Sequence, residues 1–318
     1  MKPRVIGIGE LLWDRLPSGP RMGGAPANFA CHANALGAEA AVISRVGADE
    51  SGARLVAQLK ALGVATDGIT QDPRNPTGTV EVELSPDGQP HFTICTGVAW
   101  DRLQVTPALV RLAAAADAIC FGSLGQRSAT SREAIRQLVA ATPAHALRVF
   151  DVNLRQDYFD AEGIAASLDL ANVCKLSDSE LPVVAGLLGL AGDTRAQIEG
   201  LIARHELPLV AYTRGAQGSV LTDGNEWCEC QGLPTVVKDT IGAGDSFTCA
   251  VAMGRLQGWP LERISATANQ IAAFVCSRDG AVPELPAALR ESFQWQGWAP
   301  ARGAGSVSSQ IEHAGLPS

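Results

Sequence analysis

The stretch Asp239-Thr240-Ile241-Gly242-Ala243-Gly244-Asp245-Ser246-Phe247 directly precedes an apolar run with helical spacing that reaches Leu256. Its three small residues, Gly242, Ala243 and Gly244, stand where that helix is expected to start. Small residues leave the first backbone N–H groups unobstructed, and these donors join the positive end of the helix dipole to form an anion site, usually for phosphate. The sequence therefore predicts a phosphate site at the start of a helix over 243–256.

Asp245 falls in the first turn of this predicted helix. A carboxylate in that position either caps the helix and interacts with its dipole, or acts as a general base toward a nucleophilic hydroxyl group. The spacing alone leaves both roles open.

A second glycine cluster, from Met22 to Ala30, reads Met-Gly-Gly-Ala-Pro-Ala-Asn-Phe-Ala and also precedes a helical pattern. Pro26 suits the first turn of a helix, and the glycines allow a ligand to approach the backbone closely. A purely structural turn is the alternative. The earlier pair Gly7 and Gly9 does not continue as a dinucleotide-binding motif, because Leu12 occupies the third glycine position.

Outside these clusters, short buried-type strands alternate with amphipathic helical segments. This rhythm predicts a parallel sheet covered by helices. The predicted strands are Val5–Ile8, Ala40–Ser44, Ala118–Phe121, Leu147–Phe150, Val173–Leu176 and Leu209–Thr213, and the predicted helices include 25–36, 50–62, 131–140, 193–205 and 265–276.

Two segments alternate like a β-ribbon instead, Thr79–Leu84 and Gln89–Cys95, around a turn at 85–88. The extension of the first strand through Leu11–Leu16 is expected to add a strand to this appendage, which we interpret as a lid over the sheet edge. A hairpin is predicted at 220–222 and 226–230. The last twenty or so residues lack apolar periodicity and are predicted to be a loose tail.

The composition limits the classes of function. The chain has 318 residues, 46% of them hydrophobic, which excludes disorder as its main state. The net charge of -8, without a basic run, disfavours nucleic acid as a partner. The sequence predicts neither a membrane span nor a signal peptide, so a cytoplasmic location is expected. The eight cysteines show no metal-binding or disulfide spacing and are interpreted as free thiols.

Taken together and in this order, the clusters at 23–28 and 239–245 resemble the two signatures of the ribokinase-like (PfkB) carbohydrate kinases. Further similarity lies between and after them, at 150–155, 175–180, 213–219 and 280–281. The resemblance implies a three-layer α/β/α sandwich with a mainly parallel central sheet and a small β-sheet lid. It places a sugar kinase domain at 1–298, with lid segments at about 11–20 and 77–101, followed by a flexible tail at 299–318.

The resemblance also implies roles for individual residues. Asp245 matches the catalytic base that deprotonates the sugar hydroxyl group as it attacks the γ-phosphoryl group of ATP, and Gly242, Ala243 and Gly244 match the anion hole. On the sugar side, Asp14, Gly24 and Asn28 match positions that bind hydroxyl groups. Asn153 and Arg155 follow a predicted strand at the carboxyl end, where open parallel sheets bind ligands.

On the nucleotide side, the matching positions are Lys175, Ser177, Thr213, Gly215, Gly218 and Asn269. Glu180 matches the acid that holds the hydration shell of Mg²⁺. The family usually has Asn where this chain has Ser177, which shortens the reach of that side chain. Asp239 matches a residue beside which some members bind potassium.

The resemblance thus implies an ATP-dependent sugar kinase that phosphorylates a primary hydroxyl group. The spacing of Glu10 and Asp14 resembles that of the fructokinases more than that of the ribokinases, which makes fructose the expected substrate. Ribose, a nucleoside and 2-keto-3-deoxygluconate remain alternative substrates, and Arg155 would suit an acidic sugar. A non-catalytic sugar- or nucleotide-binding relative is an alternative from another class. An oxidoreductase is disfavoured by the missing third glycine. Pairing of two lids is expected to give a homodimer, because it would cover the exposed strand edge.

Overall fold

A computed structural model describes residues 1–16, 19–84 and 90–300. Within them, thirteen strands form two sheets. The strands are β1 (Arg4–Ile8), β2 (Leu12–Leu16), β3 (Gly19–Gly23), β4 (Glu39–Gly47), β5 (Ile69–Asp72), β6 (Gly78–Leu84), β7 (Pro90–Ile94), β8 (Ala118–Gly122), β9 (Leu147–Asp151), β10 (Val173–Ser177), β11 (Val210–Thr213), β12 (Ser219–Thr222) and β13 (Trp227–Cys230).

Ten α-helices connect and cover these strands in the described residues. They are α1 (Ala25–Ala35), α2 (Glu50–Ala61), α3 (Pro107–Ala113), α4 (Ala129–Ala140), α5 (Ala161–Leu170), α6 (Leu181–Leu188), α7 (Thr194–His205), α8 (Ala243–Leu256), α9 (Leu261–Cys276) and α10 (Ala287–Arg290).

The large sheet has the strand order β13-β12-β11-β10-β9-β8-β1-β4-β5. Every neighbouring pair from β11 to β5 is parallel, and only the pairs β11–β12 and β12–β13 are antiparallel. The carboxyl ends of seven strands therefore lie along one edge, which is where open parallel sheets bind ligands. The predicted parallel sheet is confirmed.

Helices cover both faces of this sheet. Val5 packs into one hydrophobic cluster with Phe29 of α1 and Val251 of α8. Its neighbour Ile6 points to the other face and joins a second cluster with Ile135 of α4 and Ile198 of α7. Two separate cores on alternating residues of one strand are what a sheet between two helical layers produces. The predicted three-layer α/β/α arrangement is therefore confirmed.

The small sheet has the order β3-β2-β6-β7. We call it the lid. The ribbon of β6 and β7 was predicted, and so was the further strand of this appendage: β2 pairs in parallel with β6, although it is separate from β1 and does not continue it. Strand β3 was not predicted, because Gly19, Pro20 and Gly23 give it little strand propensity. The predicted turn at 85–88 lies outside the described residues.

Most predicted helix bounds agree within a few residues, and α8 has the predicted bounds. Helix α9 begins at Leu261, four residues before the predicted start. The hairpin of β12 and β13 was also predicted. Of the predicted tail, residues 301–318 lie outside the described part of the chain. Among the residues described, no helix is long and apolar enough to cross a membrane.

Candidate active site

The predicted anion site falls at the start of α8, where the local geometry leaves backbone donors free. Its N-cap residue, Gly242, has φ 79°, and a Cβ there would lie 2.4 Å from the carbonyl oxygen of Ala281. Only glycine satisfies both the left-handed backbone and this close approach. The first bond of the helix runs from Ser246 N to Gly242 O (2.9 Å), so the amides of Gly244 and Asp245 have no acceptor within the helix. These donors are available to a phosphoryl group.

The carboxylate of Asp245, in the first turn of α8, makes no hydrogen bond to the backbone of that helix among the described contacts, so it does not cap α8. Its Oδ2 instead accepts a hydrogen bond of 2.8 Å from Nδ2 of Asn28, which lies 217 residues away on α1. Burial, with a further contribution from the negative charge of Asp151, raises the pKa of Asp245 to about 6. The capping role is thus not the one adopted, and the carboxylate faces the second glycine cluster.

Lys175, in the middle of β10, donates a hydrogen bond of 3.0 Å from Nζ to Oδ1 of Asp151 on β9. Oδ2 of Asp151 accepts one from the hydroxyl group of Thr248 on α8 (2.7 Å). Burial alone would lower the pKa of Lys175, but the carboxylates of Asp151 and Glu180 outweigh it and raise it. A Cβ on Gly244 would lie 3.3 Å from Nζ, so a fixed positive charge lies next to the anion site.

Glu180 joins the ends of two strands. Its Oε1 accepts from Leu154 N (3.0 Å) after β9, and its Oε2 accepts from Ser177 N (2.7 Å) at the end of β10. The residue is only 8% exposed, so this carboxylate is held in place by backbone amides. Each oxygen retains a lone pair, which fits a role in holding water around Mg²⁺ better than direct coordination.

The remaining nucleotide-side predictions lie along β10 to β12 and on α9. Ser177 Oγ lies 3.0 Å from Ser179 Oγ, and Thr213 ends β11. Gly215 and Gly218 have φ 52° and 89°, in the turn between β11 and β12. Asn269 is buried, and its Nδ2 donates to Ser219 Oγ (2.7 Å) and Ser265 O (2.8 Å). The amide nitrogen of Asn269 therefore donates hydrogen bonds within the protein, whereas its side-chain oxygen is available to accept one from a ligand.

On the sugar side, β2 carries Asp14. A Cβ on the adjacent Gly23 would lie 2.3 Å from Oδ2 of Asp14, so the carboxylate lies over the glycine pair. Burial raises the pKa of Asp14 to about 6, against the lowering effect of the positive charge of Arg155. The same guanidinium lowers the pKa of Asp245. Asp14, Arg155 and Asp245 therefore interact electrostatically across one cleft.

Gly24 and Asn153 have backbone conformations that shape this cleft. Gly24 has φ 113°, and a Cβ there would lie 2.4 Å from Glu10 O. Asn153 has φ 42° and accepts a hydrogen bond from Ser123 Oγ at its carbonyl oxygen (3.3 Å). A small cavity at the base of the cleft is lined by Ala25, Pro26, Cys120, Phe121, Gly122, Asp151, Asn153 and Asp245.

Asp239 lies just before the anion site. Its Oδ1 accepts from Ile241 N (3.0 Å) and its Oδ2 from Gly280 N (3.1 Å). The guanidinium of Arg21, on β3 of the lid, is 3.4 Å from the same Oδ2. A potassium ion at this carboxylate would therefore share it with an existing positive charge.

Three residues of this region received no role from the sequence: Arg21, Asp151 and Thr248. Glu10 entered there only through its spacing from Asp14. Glu10 is 3% exposed; its Oε1 accepts from Ala25 N (3.2 Å) and its Oε2 has no partner. Burial, reinforced by the charge of Asp245, raises the pKa of Glu10 to about 7. The position of Asp151 at the end of a buried strand could have predicted that it lies in the site. No sequence pattern pointed to Thr248 or Arg21.

Comparison with known proteins agrees with this geometry. The model of the pfkB family of carbohydrate kinases matches residues 20–288. The fructokinase of Escherichia coli is 28% identical over 304 residues, covering 90% of this chain and 97% of that protein.

Solved structures agree as well. A sugar kinase from Pyrococcus horikoshii, solved in complex with ATP, is 29% identical with a TM-score of 0.75, covering 87% of this chain and 94% of that chain. An Escherichia coli protein described as a candidate ribokinase II has a TM-score of 0.80 at 23% identity, covering 92% and 99%, which is a likeness of fold alone.

The family match spans most of the chain, and the two glycine clusters that define the cleft lie within it. The chain belongs to the pfkB family of carbohydrate kinases and has the ribokinase-like fold. It is an ATP-dependent sugar kinase.

Proposed function

We propose that this sugar kinase transfers the γ-phosphoryl group of ATP to a primary hydroxyl group of fructose. The observation that carries the proposal is the 2.8 Å hydrogen bond from Asn28 to Asp245, which joins the sugar-side and phosphate-side glycine clusters at the start of α8. Relatives named fructokinase, such as that of Escherichia coli, support this substrate.

In the proposed mechanism, Asp245 takes the proton of the attacking hydroxyl group. Its raised pKa of about 6 leaves it ionised at neutral pH yet makes it a better base than an exposed carboxylate. Asn28 holds one of its oxygens, so the other is available to the hydroxyl proton. Asp14, Gly24, Asn28, Asn153 and Arg155 are proposed to bind the sugar.

The transferring phosphoryl group is proposed to lie against the amides of residues 242–245. Charge spreads over its equatorial oxygens during transfer, so fixed N–H donors and the nearby ammonium group of Lys175 stabilise that state more than the ground state. Ser177, Thr213, Gly215, Gly218 and Asn269 are proposed to contact the nucleotide. Magnesium, when bound with ATP, would neutralise phosphate charge, and Glu180 would hold its waters.

A second substrate class has a specific observation in its favour. Arg155 is exposed, and its charge lowers the pKa of both Asp14 and Asp245. Beyond balancing these two carboxylates, an exposed guanidinium group is suited to bind the carboxylate of an acidic sugar such as 2-keto-3-deoxygluconate. Ribose remains a further alternative, and a non-catalytic binding relative would need neither an intact Asp245 nor an intact anion hole.

The test is ADP release with Mg-ATP and a panel of fructose, ribose, tagatose, 2-keto-3-deoxygluconate, glucose and adenosine, with wild type and Asp245→Asn. We expect fructose to be preferred. The substitution should lower kcat about 100- to 10,000-fold, because it removes the general base. Asp67→Asn, at an exposed position in the loop before β5, is the matched control and should retain full activity.

Three results would count against parts of this assignment. A preference for 2-keto-3-deoxygluconate would replace fructose by an acidic sugar. ATP binding without turnover of any sugar would favour the non-catalytic relative. Full activity of Asp245→Asn would remove its role as the base.

Two further parts of the function are also proposals. A cytoplasmic location is supported by the eight free cysteines, since free thiols persist in reducing compartments. Potassium activation through Asp239 stays a prediction. Equal rates in sodium and potassium buffers would contradict it.

A further inference from the structure

An ion pair connects the lid to the loop that carries the anion site. Arg21 is on β3 of the lid, and its Nη1 lies 3.4 Å from Oδ2 of Asp239, 218 residues away in the sequence. The Arg21 side chain is 40% exposed and that of Asp239 is 17% exposed. An ion pair this accessible to water adds little to folding stability. We therefore looked for a role of this ion pair other than stabilising the fold.

Asp239 organises the backbone around the anion site. One carboxylate oxygen accepts from Ile241 N and the other from Gly280 N. The next residues of these two segments, Gly242 and Ala281, pack so closely that no Cβ fits between them. The position of the Asp239 carboxylate therefore influences where the amides of residues 242–245 point.

Arg21 is also linked to the part of the lid that is proposed to bind the sugar. In the antiparallel pair of β2 and β3, it lies directly opposite Asp14. Directly paired residues project from the same face of a sheet, so Arg21 and Asp14 share the face that is turned toward the cleft. A sugar that binds Asp14 therefore fixes the strand pair that carries Arg21.

We propose that Arg21 is a positioning residue that couples the lid to the anion hole through Asp239. This inference rests on the proposed sugar kinase reaction at the same site. When the lid is in place, the guanidinium group holds the Asp239 carboxylate, and this carboxylate holds the amides of the anion hole in line with the phosphoryl group. Without the ion pair, ATP and sugar still bind, but the donors are misaligned in the transition state.

The test compares Arg21→Ala and Arg21→Lys with Arg15→Ala. Arg15 is a matched control on the same lid, because it pairs with Glu81 (3.4 Å) and both side chains are more exposed than those of the Arg21 pair. We expect Arg21→Ala to lower kcat about 10- to 100-fold with little change in either KM, as a misplaced catalytic geometry does. Arg21→Lys should recover part of the rate, and Arg15→Ala should match wild type.

A second readout does not depend on turnover. Hydrogen exchange of the amides in 239–244 and 278–281 should become faster in Arg21→Ala but not in Arg15→Ala, while the melting temperature stays near that of wild type. Unchanged exchange together with unchanged kcat would overturn the proposal. A rise in the KM for sugar at constant kcat would also overturn it, by making Arg21 a substrate ligand. A wild type inactive on every sugar would reject the proposed function, whereas the exchange experiment would still decide the role of Arg21.

Discussion

The charge of Arg155 acts on three carboxyl groups of the cleft. Arg155 carries no ion pair among the described contacts, yet it lowers the pKa of Glu10, Asp14 and Asp245. Burial raises the pKa of all three carboxyl groups. Without the positive charge of Arg155, they would therefore be protonated at a higher pH. The cationic side chain therefore helps to keep the proposed base ionised.

This arrangement predicts a shift in the pH dependence of the reaction. Asp245 must be ionised to accept a proton, so kcat/KM should fall as pH decreases through about 6. Arg155→Ala removes a positive charge, raises the pKa of Asp245 further, and should move this acid limb to higher pH. The measurement is kcat/KM from about pH 5 to pH 9.

Arg195→Ala serves as the control for this profile, because Arg195 lies on α7 in an exposed ion pair with Glu199. Its acid limb should coincide with that of wild type. An unshifted limb in Arg155→Ala would show that its charge does not act on the base.

At the scale of secondary structure, α8 depends on glycine at both ends. Gly242 precedes it with φ 79°, and Gly258 follows it with φ 67°. The two positions differ in their surroundings. A Cβ on Gly242 would meet Ala281 O at 2.4 Å, whereas a Cβ on Gly258 would meet nothing within 4 Å.

We expect Gly242→Ala and Gly258→Ala to have different effects for this reason. Both force alanine into the left-handed region, at a cost of about 1–2 kcal/mol in the free energy of unfolding. Only Gly242→Ala must also displace the segment at 280–281 and hence the anion hole, so it alone should lose most of its kcat. Urea denaturation and steady-state kinetics measure the two effects separately, and normal kcat in Gly242→Ala would refute the role of this contact.

At the scale of the whole molecule, the lid leaves a strand edge open. β7 is the outer strand beside β6, and Thr93 on it is exposed. Unpaired strand edges tend to associate, and a second lid would cover this one. We therefore predict a homodimer, which light scattering should report as about twice the chain mass of 33.1 kDa.

A lysine on the open edge tests the proposed interface. Thr93→Lys should shift the protein toward the monomer, because charge on an edge strand opposes pairing. Thr194→Lys, at an exposed position on α7, should leave the mass unchanged. A wild-type mass of one chain would reject the dimer.

Local sequence patterns were sufficient for much of this molecule. Val5–Ile8 and its counterparts predicted the parallel strands, because a buried strand needs only a short apolar run. The cluster of small residues at 242–244 predicted the start of α8, because it directly precedes the apolar run with helical spacing. Strands β3 and β5 and helices α3, α5, α6 and α10 were not predicted, since their patterns are weak or short and their burial comes from distant partners.

The sequence by itself therefore determined the alternation of strands and helices, the family, and the two glycine clusters, all of which are encoded by residues close together in the chain. Only the tertiary structure decided that Asp245 faces Asn28 rather than capping its own helix, that Lys175 pairs with Asp151, and that Arg21 reaches Asp239. Those contacts join residues that are far apart in sequence or on different strands. Their geometry follows from how the sheet, the helices and the lid pack, which no local pattern encodes.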